Sequence, residues 1–208
     1  MVFDIIQASK EMCTAEFAVN KAHNQIGGFY VQGSLVSIDA EITGNLCGKR
    51  FVMKHGNANS IDAKKPYRPY YISNNGMVNG VIYETESDGG WLKKYEFTQM
   101  QLRGMTYDLY SVALGKEGTK SLLYCGNRQI AQIDSESIVY NDLHNYRVYA
   151  VDEFSSEIAV MFAAYLYAIG PFEPGKKVKS SVTKYYSKTT NKNLLLKYNP
   201  NFIKSIVE

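Results

Sequence analysis

The sequence predicts a mostly β fold: a closed antiparallel barrel of about twelve strands around one central apolar helix. Three observations carry this. Short alternating or β-branched runs punctuated by turn residues recur up to residue 152, one wholly apolar segment follows them, and tyrosine is abundant, with 17 Tyr against a single Trp. Aromatic and β-branched residues suit a pleated, half-buried surface.

The clearest runs are SLVSIDAEIT (34–43), KRFVMK (49–54), NGVIYETES (79–87), MTYDLYSVAL (105–114), SLLY (121–124), RQIAQID (128–134), SIVYND (137–142) and NYRVYAVD (145–152). Between them stand Asn-Gly at 75–76 and 79–80, Asp-Gly-Gly at 88–90, Gly-Lys-Glu-Gly at 115–118 and Cys-Gly-Asn at 125–127. Such residues accept the positive φ of tight hairpins. Regularly spaced short strands joined in this way make an antiparallel meander, hence a sandwich or a barrel.

The period then changes. Asp152, Ser155 and Ser156 offer capping oxygens, Glu153 and Glu157 put negative charge at a helix start, and Gly170-Pro171 stops the segment. Between them IAVMFAAYLYAI (158–169) has no polar face. A helix apolar all round is buried on every side or lies in lipid. About 15 helical residues reach roughly 22 Å, short of a bilayer but matched to strands of six or seven residues. A closed sheet wider than eight strands has room for such a helix on its axis, whereas a sandwich would carry it as a cap. The barrel is therefore assigned to 1–172, with its central helix at 155–169. Residues 173–208 form a lysine-rich extension that docks on it: VKSSVTKYYSK (178–188) as a strand or hairpin, then a short helix after Asn199-Pro200 with Phe202, Ile203, Ile206 and Val207 on one face.

Composition narrows the function. Hydrophobic content of 45% and charged content of 21% are ordinary for a globular chain. Cys13, Cys47 and Cys125 form no CxxC pair, and their odd number argues against a disulfide framework. The opening MVFDIIQASKEMC has no basic leader before an apolar stretch, and no run is long enough for a transmembrane helix, so a cytoplasmic location is expected. Net charge is +3, unevenly spread: beyond Pro171 the lysines 176, 177, 179, 184, 188, 192, 197 and 204 face only Glu173 and Glu208. An acidic body with a basic tail raises an anionic partner, lipid rather than nucleic acid because the body repels the latter. The simpler reading, solvation of a surface extension, is the better explanation of the lysines.

Chemical motifs are sparse. His23, His55 and His144 lie far apart, without the spacing that sets two ligands on one helical face. The segment 115–121 departs from GxxxxGK[ST] and reads as a hairpin turn, and the Gly-Gly pairs at 27–28 and 89–90 read as turns too. Asp39 with Glu41, and Glu84 with Glu86, share strand faces, as solvated strands commonly do. No catalytic residue, cofactor or metal site is assigned. The candidate anionic-ligand contacts are basic residues near aromatics or in the tail: Lys64, Lys65 and Arg68 before a Tyr-Tyr strand, Lys93 and Lys94 between Trp91 and Tyr95, and Lys176, Lys177 and Lys179.

The stretch YDLYSVALGKEGTKSLLYCGNRQIAQIDSESIVYNDLHNYRVYAVDEFSSEIAVMFAAYLYAIGPF (107–172) resembles the tubby C-terminal-like superfamily, closest to the LURP-one-related proteins and akin to the phospholipid scramblases. The likeness is a succession: a hairpin, an IAQI strand, a Y-x-x-Y strand, then the apolar helix. Residues 3–33 are compatible with that family's opening strands. The resemblance implies a twelve-stranded barrel around a central helix and a non-enzymatic role, binding membrane lipid headgroups as tubby domains bind phosphoinositides. The chain departs from the family in detail. No tubby-type basic lipid site is matched residue by residue. Asp152-Glu153 is a poor remnant of the scramblases' acidic calcium segment and reads better as helix-terminus charge. The expected function is thus peripheral association with anionic phospholipid; the alternative is a protein-interaction scaffold with no lipid preference.

Overall fold

The structure, a computed structural model, describes residues 1–35, 40–57, 59, 61, 66–88, 93–175 and 180–207. Strands β1 (Val2–Lys10), β2 (Thr14–Lys21), β3 (Asn24–Gln32), β4 (Glu41–Leu46), β5 (Lys49–His55) and β6 (Tyr67–Asn74) follow one another as a meander. It continues through β7 (Met77–Glu86), β8 (Glu96–Leu102), β9 (Met105–Ala113), β10 (Thr119–Cys125) and β11 (Arg128–Ser135). Strand β12 (Ile138–Tyr140) steps out of the sheet, and β13 (Asn145–Ala150) closes it between β11 and β1. Closure is direct, with Phe3 opposite Val148 on one side of β1 and Ile5 opposite Val19 on the other.

Of SLVSIDAEIT, Glu41, Ile42 and Thr43 fall in β4, Ser34, Leu35 and Ala40 lie outside the strands, and residues 36–39 lie outside the described residues. Asn79-Gly80 is not a turn but part of β7, where a Cβ on Gly80 would sit 2.6 Å from the Gln101 carbonyl oxygen of β8. Glycine serves close backbone approach there.

The two ends of the barrel differ. At one end β2–β3, β4–β5, β6–β7, β8–β9 and β10–β11 turn within two residues. Cys47-Gly48, Asn75-Gly76 and Arg103-Gly104 have positive φ at both positions, the I′ geometry that matches strand twist. The other end carries the longer connections. Helix α1 (Glu153–Ile169) threads the barrel from the turn end to the loop end. It starts at Glu153 rather than Ser155, because the Asp152 carboxylate accepts from the Ser155 amide at 2.7 Å and so occupies the capping position. Ser155 through Tyr165, with Tyr167 and Ala168, are buried against inward side chains such as Phe3, Ile5, Phe17, Ile42, Met53 and Ile82. Outward positions include Asp4, Glu16, Lys54, Asp108, Lys120 and Arg147, so the wall faces water. No helix of the described residues is long and apolar enough to cross a membrane.

The tail is fastened to the outer wall. Strand β14 (Val182–Lys184) pairs with β12, and residues 187–189 bond the backbone of 113–115. Helix α2 (Lys192–Leu195) sets Leu194 into an outer cluster with Tyr110, Val112 and Leu122, and the Lys197 ammonium lies 4.5 Å from the centre of the Tyr110 ring. Helix α3 (Lys204–Val207) follows buried Phe202.

Candidate functional sites at the two barrel ends

At the loop end a cleft of about 740 Å³ opens beside the last turn of α1, walled by Tyr67, Pro69, Tyr70, Ile169 and Phe172. Arg68 stands in it. Its backbone has φ 47, a left-handed conformation disfavoured for a residue with a side chain, the more so before proline. Three contacts hold it: the Tyr165 hydroxyl donates to the Arg68 carbonyl at 2.8 Å, Nη1 donates to the Ile169 carbonyl at 2.7 Å, and the guanidinium lies 5.0 Å from the centre of the Tyr67 ring. The cation thus caps the negative end of the helix. The neighbouring Tyr67 is the main cause of a pKa above the ordinary arginine value, outweighing burial. On its other side Glu84, Glu86 and Glu96 line a second recess, in which burial raises the Glu84 carboxyl while Arg68 pulls it back down.

Of the other predicted contacts, Lys93 and Lys94 are among the described residues. Lys94 pairs with Glu86 at 3.3 Å. The Lys93 and Lys94 carbonyls accept the side-chain amides of Asn193 and Asn191, so this segment is the landing for α2. Lys64, Lys65, Lys176, Lys177 and Lys179 lie outside the described residues.

Beside the cleft a buried polar chain joins β1 to the helix. Gln7 Nε2 donates to the Tyr167 hydroxyl at 3.0 Å and Gln7 Oε1 accepts from the His144 amide at 2.8 Å. The His144 ring packs on Tyr167 and Tyr185, and its Nε2 sits 3.5 Å from an Asp142 oxygen, too long for a sound hydrogen bond. Asp142 is itself paired with Lys10. Burial lowers the His144 pKa below its ordinary 6.5, outweighing the pull of Asp142. The unfolded chain therefore takes the proton first. Stability is complete above pH 6.5 and falls as the pH drops from there through the lower folded value. Urea midpoints measured from pH 7.5 down to about 5 are expected to fall less steeply for His144→Gln than for the wild type. Parallel slopes would show that His144 does not carry this dependence.

The turn end assembles a face that sequence spacing did not reveal. Exposed Lys21, Lys49, Arg50, Arg103 and Arg128 come from four hairpins, against Asp152, Glu153 and Glu157 at the helix start. Glu157, almost fully buried, is held by Lys49 at 3.3 Å and Arg103 at 3.4 Å. Between these cations Met77 (74% exposed), Val78 (65%) and Met105 (47%) project from the adjacent β6–β7 and β8–β9 hairpins. A usable signal lay in the turn motifs, where Cys47-Gly48 is followed by Lys-Arg and Asn75-Gly76 by Met-Val.

Among the described residues, no group of three or more His, Cys, Asp or Glu side chains is placed to hold a metal ion. The architecture is that of a closed β-barrel plugged by its own helix. The chain matches no protein-family model, no curated protein and no solved structure.

Proposed function

We propose that this chain is a non-catalytic, tubby-like binding domain that associates peripherally with membranes rich in anionic phospholipid. The turn end carries the reading: three projecting apolar side chains on hairpins flanked by basic ones. Each basic residue near an anionic leaflet contributes about 1 kcal/mol, and apolar insertion supplies the second signal that stable peripheral binding needs. The apolar run of α1 from Ile158 onward is interior and takes no part in the contact.

Co-sedimentation with phosphatidylcholine vesicles, with and without phosphatidylserine, tests this. Pelleting is expected only with the anionic vesicles and is expected to weaken as salt rises. Met77→Ser with Val78→Ser, and separately Arg50→Glu, should each reduce it several-fold. Equal pelleting with both vesicles, or none, overturns the reading. It then leaves the protein-interaction scaffold as the function to pursue.

A further inference from the structure

The loop-end cleft lies at the opposite end of the barrel from the proposed membrane face, and its chemistry is of another kind. We infer that it is a binding site for a single-headed anionic amphiphile of the alkyl carboxylate class, with Arg68 holding the carboxylate.

Size comes first. At about 740 Å³ the cleft falls within the range of small-molecule sites. Its walls are mainly aromatic, aliphatic and proline side chains: Tyr67, Pro69, Tyr70, Ile169 and Phe172. Such a lining takes an apolar body, with few polar groups left to fix its orientation.

The cation at its edge is unusually placed. Arg68 adopts a left-handed backbone before Pro69, a conformation that persists only where surrounding contacts over-determine it. Those contacts are the Tyr165 hydroxyl on its carbonyl and the Ile169 carbonyl on its guanidinium. Together they hold the exposed guanidinium at the edge of the cleft. A guanidinium carries five N–H donors, so the bond to Ile169 leaves enough for a bidentate carboxylate.

Charge sets the class of ligand. The cleft also contains Glu173 and the negative end of α1. Among the described residues Arg68 is the one lysine or arginine that lines the cleft, and its head-group match is a single carboxylate.

Isothermal titration of the full chain with decanoate, kept below its micellar concentration, tests the inference. Saturable one-to-one binding is expected, with acetate and decyltrimethylammonium each at least tenfold weaker. Arg68→Gln is expected to weaken decanoate binding about tenfold or more, and Arg68→Lys by less. Thermal melts confirm that each variant is folded. Should Arg68→Gln fail to fold, the comparison of the three probes on the wild type still decides. Absence of decanoate binding, equal binding of the cationic amphiphile, or an unchanged Arg68→Gln variant overturns the site. Vesicle pelleting reads the turn end alone, so either proposal can fail without the other.

Discussion

Phe162→Ala is expected to destabilise the fold by about 3–5 kcal/mol, as loss of a buried aromatic side chain does when its space is not refilled. Phe162 is fully buried near the middle of α1, inside the closed sheet. Refilling requires neighbours to move inward. Here those neighbours are strands hydrogen-bonded on both sides around a closed ring, so no edge is free to slide. The cavity therefore persists and its lining loses dispersion contacts outright. Urea unfolding should show a large fall in midpoint with little change in slope. Tyr140→Ala, at an exposed position outside the barrel, should lie within about 0.5 kcal/mol of the wild type. A cost below about 1 kcal/mol for Phe162→Ala would mean that the barrel interior is loosely packed.

Periodicity made the core legible, because the helix and the strands write their burial into the sequence in different ways. The absence of a polar face from Ile158 to Ile169 required enclosure, and the strand runs supplied the enclosure. Local chemistry was less transparent. Asn79-Gly80 has the composition of a hairpin turn but lies inside β7, where a glycine lets the β8 backbone come close, and only the register of β7 against β8 reveals this. SIVYND reads as one more barrel strand, yet β12 pairs with β14 from the tail, a partner more than forty residues further on.

The sites were harder still. Arg68 looked like one of a run of basic loop residues. Its main partner is a carbonyl 101 residues away, which no local pattern encodes. The cations of the turn end are spread over β2–β3, β4–β5, β8–β9 and β10–β11, and they become a ring only through antiparallel closure. Sequence reading favours clusters that are contiguous along the chain. A barrel builds its faces from single residues recurring once per hairpin.

Glu157→Gln separates stability from membrane association, with opposite signs. Glu157 is the buried carboxylate shared by Lys49 and Arg103, whose side chains are about half exposed, at 49% and 43%. Glutamine keeps the shape and one acceptor oxygen but removes the charge. Because both cations remain wetted, screening limits the loss to about 1 kcal/mol, well short of the cost of an unpaired charge in a dry interior. Arg103 is then released at the face proposed to meet the bilayer, Lys49 keeps Glu153 at 4.0 Å, and that face gains one unit of positive charge. At about 1 kcal/mol per basic charge beside an anionic leaflet, partitioning onto phosphatidylserine vesicles should rise about fivefold. The gain should fade at high salt, since exposed charges are screened within a Debye length of about 8 Å at physiological ionic strength. A variant that melts earlier and also binds vesicles less would place the membrane contact elsewhere. One that melts earlier and binds more would tie the buried carboxylate of the central helix to the charge of the surface above it.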